Sequence, residues 1–234
     1  MIDFFKLTSA LLSGSIKGHF GQWAEDVFLR KIFPTSQKNG TYLDIGAYDP
    51  FMHSNTAYLW MKGWKGFNID ANPNTIQRFK KIRPKDKNIW AAIIPNSDYE
   101  KGIRNVDLML PVKADYSSGI AASGTVNKAV GGERSFTRSV SVPALNVLSL
   151  IHDHNIGMVD YLNIDIEGYD EIILSELYLS KLSPTVITIE DYSSNFEALM
   201  NSKITKLMAI KNYSLAGRTG PTSIFILNSS ELIW

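Results

Sequence analysis

The chain has 234 residues, with 24 basic and 23 acidic side chains for a net charge of +1, 44% hydrophobic and 11% aromatic residues, and no cysteine. That apolar content excludes a disordered chain and suits one α/β domain with a sizeable core. Near-neutrality counts against a general nucleic-acid binder, and the missing cysteine excludes disulfides, thiolate zinc sites and cysteine nucleophiles.

Residues 1–20 begin MIDFFKLTSALLSG and place Phe4, Leu7, Leu11 and Leu12 on one helical face, interrupted by Asp3 and Lys6. A helical segment packing on the domain is expected there, not a signal peptide, with residues 21–234 as the domain itself. No run approaches the ~18 uninterrupted apolar residues of a membrane helix. Nothing points to secretion, so the cytoplasm is the expected location.

GQWAEDVFLRKIF at 21–33 has apolar residues at near-helical spacing, and Pro34 ends it. TYLDI at 41–45 reads as a buried strand, followed by a turn and a helix around Asn55–Met61. KGFNI at 65–69 is a second strand, and Pro73 opens a second helix. NIWAAII at 88–94 is a third strand, and PALNVLSLIHDH is an amphipathic helix. VDYLNIDI at 159–166 is a fourth strand with YDEIILSEL as its helix, and TVITIE at 185–190 a fifth. A helix near Phe196–Ile210 leads to YSLAG and TSIFIL, which suit a closing antiparallel hairpin. Continuous apolar strands alternating with helices predict a largely parallel sheet buried on both faces. Residues 115–135 break the pattern with small and polar residues and four glycines, and read either as a substrate-side lid or as a surface insertion.

Ligands of such sheets bind beyond the carboxyl ends of the strands. Three strand ends carry acids there: Asp44, Asp70 and Asp165. Asp70 is placed to accept both ribose hydroxyls of an adenosine. The first turn, LDIGAYDP, has one glycine, Gly46, where a dinucleotide enzyme needs several to seat a pyrophosphate. The negative charge of Asp49 suits a cationic ligand. These features favour S-adenosylmethionine, although Asp44 could instead cap a turn.

LDIGAYDP, SNT at 54–56, GWKGFNIDANP at 63–73, RPKD at 83–86 and DYLNIDIEGYDEIIL at 160–174 resemble the FkbM-type methyltransferases. GQWAED, PTVITIED and LAGRTGPTSIFIL fit the same family, in the same order, from about residue 20 to the end. The resemblance implies a class I methyltransferase fold. This is a Rossmann-like, seven-stranded, mostly parallel sheet with helices on both faces and S-adenosylmethionine as donor. It implies an O-methyltransferase of sugars, glycans or glycosylated metabolites. By position it places Asp44, Gly46 and Ala47 along the methionine part of the donor, Asp70 at the ribose, and Ala71 and Asn72 near the adenine. Ser54 and Asn55 sit where a helix start could bind the donor carboxylate, or serve as an ordinary cap. Gln22 and Glu25 either close the donor pocket or lie on a surface helix.

A sugar hydroxyl needs a base or a metal to remove its proton. Asp165 and Glu167, two apart in IDIEG, share one face at the strand edge and are the candidate bases, with Glu167 also suited to capping the next helix. Asp165, Glu190 and Asp191 offer oxygen ligands for Mg²⁺, or hydrogen bonds to sugar hydroxyls. His53 is a further candidate base or a polar loop residue, and His152 and His154 suit a helix end. The basic run RFKKIRPKDK at 78–87 reads as a solvated face or as a contact for phosphate or acidic glycan. Methylation of RNA or DNA is the alternative reaction, and a non-catalytic binding module a third reading.

Overall fold

In the computed structural model, which describes residues 18–34, 36–111, 119–122, 125–126, 136–166, 168–178 and 180–230, the apolar runs pair side by side. α1 (Glu25–Ile32) precedes β1 (Thr41–Ile45), α2 (Ala57–Met61), β2 (Lys65–Asp70), α3 (Pro73–Ile82) and β3 (Lys87–Trp90). Then come β4 (Ala92–Ile93), α4 (Asn96–Glu100), β5 (Asn105–Pro111), β6 (Gly119–Ala122), β7 (Thr125–Val126) and β8 (Phe136–Leu145). α5 (Val147–Asp153), β9 (Tyr161–Ile164), α6 (Asp170–Leu177), β10 (Val186–Glu190), α7 (Phe196–Asn201), α8 (Lys203–Ile210), β11 (Tyr213–Thr219) and β12 (Thr222–Leu227) complete the chain. Among the described residues no helix is long and apolar enough to cross a membrane.

The main sheet has seven strands in the order β11-β12-β10-β9-β1-β2-β3. β3, β2, β1, β9 and β10 run parallel, and β12 returns antiparallel beside β10. The expected Rossmann-like α/β architecture is therefore present. Strand order reverses direction at β1, so the carboxyl ends of β1 and β9 open the crevice where ligands bind in such sheets.

The two faces of the sheet differ chemically. Leu43, Ile45, Leu162, Ile164, Ile187 and Ile189 face one way and join Val147, Leu150, Ile173, Leu174 and Met208 from α5, α6 and α8 in the larger apolar core. Each side chain of this size contributes about 1.5–3 kcal/mol when fully buried. On the other face Tyr42, Tyr161 and Val186 pack with Leu29 from α1, Leu59 from α2 and Trp64 just before β2. Next along that second face comes a polar row. Strand register sets Asn88, Asn68, Asp44, Asn163 and Thr188 side by side across five strands.

Local signals account for the helix boundaries. Asn72 caps α3 by accepting from Asn74 N–H, with Pro73 in the first turn. Ser202 has extended backbone and caps α8 through Thr205 N–H, and so divides the expected helix of 196–210 into α7 and α8. The helix expected over 21–33 begins only at Glu25, because Ala24 sits at φ 67° and residues 21–24 form a turn.

The region between β3 and α5 departs from expectation. The single strand expected over 88–94 is two, since the chain leaves the main sheet at Ala91 and β4 joins a second sheet, in the order β4-β8-β5-β6-β7. Residues 143–145, expected to be helical, close β8, and α5 starts after Asn146, whose side chain accepts from Ser149 N–H. Val106, Leu108, Val142 and Ala144 alternate with exposed neighbours and bury against Ala92 and Ile94. That period-two pattern was present in the sequence. In segment 115–135, Gly119–Ala122 pairs with β5 and Thr125–Val126 with β6; the rest of the proposed lid lies outside the described residues, as do residues 1–17 of the expected N-terminal helix.

Candidate functional site

The polar row is wired by hydrogen bonds whose direction can be deduced. Arg83, a donor only, is fully buried and bonds Thr56 Oγ1 at 2.9 Å and Ser54 Oγ at 3.1 Å. It also bonds Tyr42 Oη at 3.3 Å and the Pro50 carbonyl. Thr56 must therefore give its proton to Asp44, 2.7 Å away. The other Asp44 oxygen accepts from Asn163 Nδ2 at 2.9 Å. Asn163 Oδ1 then accepts from Thr188 at 2.7 Å and from Asn55 Nδ2 at 3.0 Å. Tyr161 donates to Thr188 in turn, at 2.6 Å. Asn55 Oδ1 is left as a buried acceptor with no donor among the described residues.

Asp44 is thus held by Thr56 and Asn163, and burial raises its carboxyl above the usual range. The turn-capping alternative does not apply to it. Thr188→Val keeps the shape but strands the buried Tyr161 hydroxyl. Urea denaturation should show a loss of about 1–2 kcal/mol, and unchanged stability would contradict the wiring.

One step nearer the carboxyl ends on the same face come Asp70, Gly46, Asp165 and Glu190, each two residues after a member of the row. Gly46 has φ +88°, and a Cβ there would stand 1.7 Å from the Asp165 carbonyl oxygen. What requires glycine is therefore the approach of the neighbouring strand end, which also leaves the turn without a side chain between Asp70 and Asp165. Gly46 and Ala47 both donate their N–H to the Ile69 carbonyl, at 2.9 and 3.0 Å. Tyr48 donates its N–H to Asp70 at 2.8 Å. Three successive N–H groups of this turn are satisfied internally, so it is no phosphate nest.

Asp70 is partly exposed. One oxygen accepts from Tyr48 N–H and the other from Asn72 N–H at 2.7 Å, which leaves each oxygen a further lone pair for a ligand hydroxyl. Burial lifts its carboxyl to about 6, against the lowering effect of the two N–H bonds. Trp90 Nε1 donates to the Ala71 carbonyl at 2.9 Å and lays an indole beside the Asp70 strand end. These residues fit an adenosine: an acceptor pair for the ribose diol, an aromatic neighbour and no cradle for phosphate.

The other expected residues fall into distinct places. Asp49 is paired with Arg78 at 3.0 Å and accepts from Phe51 and Met52 N–H, so its charge is engaged within the loop and is not presented to a cationic ligand. Ser54 and Asn55 direct their side-chain bonds inward, to Arg83 and Asn163, and α2 begins only at Ala57. Glu25 is buried and not on a surface face. It accepts from Trp23 N–H and from Thr222, and so ties α1 to β12, whereas Gln22 is exposed. His53 is exposed and stacks on Tyr48 with ring centroids 5.8 Å apart. Glu167 lies outside the described residues. Asp170 accepts from Ile166 and Gly168 N–H and so fixes the turn on either side of it.

The Mg²⁺ ligand set does not form. Among the described residues no three His, Asp or Glu side chains gather as a metal site. Asp191 turns into its own loop to accept from Ser193, and Glu190 accepts from Tyr192. The basic run also divides. Arg83 and Asp86 are buried and Arg78 is paired, which leaves Lys80, Lys81, Lys85 and Lys87 exposed. Sequence reasoning gave no site role to Asn163, Thr56 or Trp90, and took Arg83 only as part of the basic run read as a solvated face or a contact for phosphate or acidic glycan. RPKD and YLNID were noted only as strings, since neither shows that its polar member points inward.

The Methyltransferase FkbM domain matches residues 44–215, from the Asp44 turn through the start of the closing hairpin. The chain belongs to the FkbM methyltransferase family. A comparison with curated proteins gives no match. In this FkbM methyltransferase the matched segment contains the whole acidic row and the second sheet, while the main sheet runs past it at both ends, with β12 lying beyond the match, and S-adenosylmethionine is the donor that the family uses in general. The Q-x-x-E-D element that carries Glu25 lies before the match and joins the domain through Thr222, beyond its end.

Proposed function

We propose that this chain transfers a methyl group from S-adenosylmethionine to a hydroxyl oxygen of a sugar, glycan or glycosylated metabolite. The observation that carries the reading is the row Asp70–Gly46–Asp165: a diol acceptor on one side of a side-chain-free turn and a candidate base on the other. The bound donor supplies an activated methyl on a positively charged sulfur. Asp70 would hold the ribose, with Ala71, Asn72 and Trp90 about the adenine and Gly46 and Ala47 along the methionine part. Asn55 Oδ1, a buried acceptor with no donor among the described residues, suits the donor ammonium better than the carboxylate. Glu25 on α1 and Gln22 in the turn before it border that region.

Asp165 would receive the hydroxyl proton as the acceptor oxygen bonds to the methyl carbon and the carbon–sulfur bond breaks, leaving a neutral thioether. Positioning accounts for much of the rate in such a displacement. Glu167 is the alternative base, and His53 the next. Nucleic acid is the less favoured acceptor, because the basic run is partly buried and partly paired.

Incubation with methyl-labelled donor and panels of sugars, sugar nucleotides, glycans and RNA tests this reading. Label is expected in saccharide ethers. Label confined to RNA would replace the proposal, and donor binding with no transfer to any acceptor would favour a binding module.

A further inference from the structure

Beyond the end of β10, on the same edge as the acidic row, lies a hollow of about 540 Å³ lined by Ser193, Ser194, Asn195, Phe196, Arg218 and Gly220. Among the described residues Arg218 is the only charged member of the lining. Its Nε donates to the Gly220 carbonyl at 3.0 Å and its Nη2 to the Asp191 carbonyl at 2.7 Å. Two carbonyls fix the plane of the guanidinium without neutralising it. Among the described residues no carboxylate pairs with it, whereas Arg30 and Arg78 have Asp26 and Asp49 at 2.7 and 3.0 Å. The outer edge of the guanidinium, Nη1 with the second N–H of Nη2, retains two parallel donors in the spacing that a carboxylate matches.

The rest of the lining complements a sugar ring. Phe196 is 75% exposed, a large apolar surface with no cover. Asn195 uses its side-chain oxygen on Ala198 N–H, so its NH₂ is the donor that remains. Gly220 is backed by a second aromatic, because a Cβ there would stand 2.5 Å from the Trp23 indole, itself 49% exposed. An aromatic face, the Ser194 hydroxyl, an amide donor and one oriented cation, with no acid among the described lining residues, describe a site for a ring that carries a negative charge.

We infer that this hollow is an acceptor subsite for an acidic sugar residue, its carboxylate on Arg218 and its ring face on Phe196. The inference rests on the saccharide reading of the function and narrows it to hexuronate-bearing acceptors. A phosphorylated sugar can engage the same fork through two of its oxygens, so the two anions are separated by experiment.

The test uses the full chain with saturating S-adenosylmethionine and three matched acceptors: a hexuronate-terminated oligosaccharide, its neutral hexose counterpart and its hexose-phosphate counterpart. Methyl transfer gives KM for each, and saturation-transfer NMR gives binding without turnover. The hexuronide should show a KM lower than the neutral sugar by roughly tenfold or more, as one charge-assisted contact provides. Arg218→Gln should erase that preference, Arg218→Lys should restore only part of it, and Phe196→Ala should raise KM for all three, with donor affinity unchanged throughout. If Arg218→Gln fails to fold, the wild-type acid-to-neutral ratio and the exposed Phe196→Ala variant decide. Equal KM for acid and neutral sugars, or a phosphate preferred over the carboxylate, overturns the subsite. Transfer to neutral saccharides with Arg218→Gln silent overturns the subsite but leaves the proposed function standing. Transfer to nucleic acid and to no saccharide overturns both.

Discussion

Asp165→Asn should lower turnover by ~10²–10⁴-fold, the usual contribution of a positioned base, while donor affinity stays within about twofold of wild type. The amide preserves size and cannot take a proton. Asp165 stands on the far side of Gly46 from Asp70, and its backbone N–H is anchored to the Ile45 carbonyl at 2.9 Å, so a change of side chain should leave the strand end in place. Glu167→Gln and the corresponding His53 variant, assayed in parallel, show whether another group takes the proton. Repeating the assays with a chelator separates a carboxylate base from a metal requirement: activity that survives chelation but not Asp165→Asn supports the base. Full activity in the Asp165 and Glu167 variants together would sink the assignment and move attention to His53.

Asp70→Ala should weaken S-adenosylmethionine binding by at least roughly 100-fold, since two hydroxyls each lose a charged acceptor. Calorimetry on the folded variant reads this directly, and unchanged affinity would refute the ribose assignment. The same residue predicts a pH dependence. Its carboxyl titrates at about 6 in the folded protein, against an ordinary value of 3.8. Ribose hydroxyls need the ionised form, so wild-type affinity should fall as pH drops through about 6, and binding near that pH should release a proton. The effect on folding has the opposite sense. A raised carboxyl stabilises the fold fully below 3.8 and loses that contribution as pH rises through about 6. Asp70→Ala should therefore cost less stability at pH 8 than at pH 4, and the reverse order would contradict the shift.

The main sheet was legible because its strands are buried on both faces and read as unbroken apolar runs. TYLDI and KGFNI were placed within a residue of β1 and β2. The second sheet was hidden for the opposite reason. β5 and β8 bury one face only, and alternation as in Asn105–Val106–Asp107–Leu108 is easily passed over beside a glycine-rich segment. The crossing at Ala91 gives no compositional sign at all, because Ala91 and Ala92 are equally buried on either side of it. At the site, Asp70 and Gly46 stood out by residue type at a strand end. Arg83 did not, because a buried arginine in a basic run resembles its exposed neighbours until the loop from Pro50 to Thr56 is folded over it. Asp49 failed as a cation-binding candidate for a related reason: its partner Arg78 comes from the following helix, which the turn alone does not reveal.

The row through Asp44 also bears on how the chain comes to be made. Asn163, which supplies one of the two bonds to that carboxylate, lies 119 residues further along the chain. At ~5–20 residues per second, ribosomal synthesis delivers it on the order of ten seconds after Asp44 has emerged. Until then β1 and β2 can pair, but burying Asp44 between them encloses a half-satisfied acid, which disfavours early closure. The N-terminal half is therefore expected to stay open until β9 arrives beside β1. Chains cut short before residue 163 are expected to gain little from the strands they already possess, and to be recognised by proteases as unfinished.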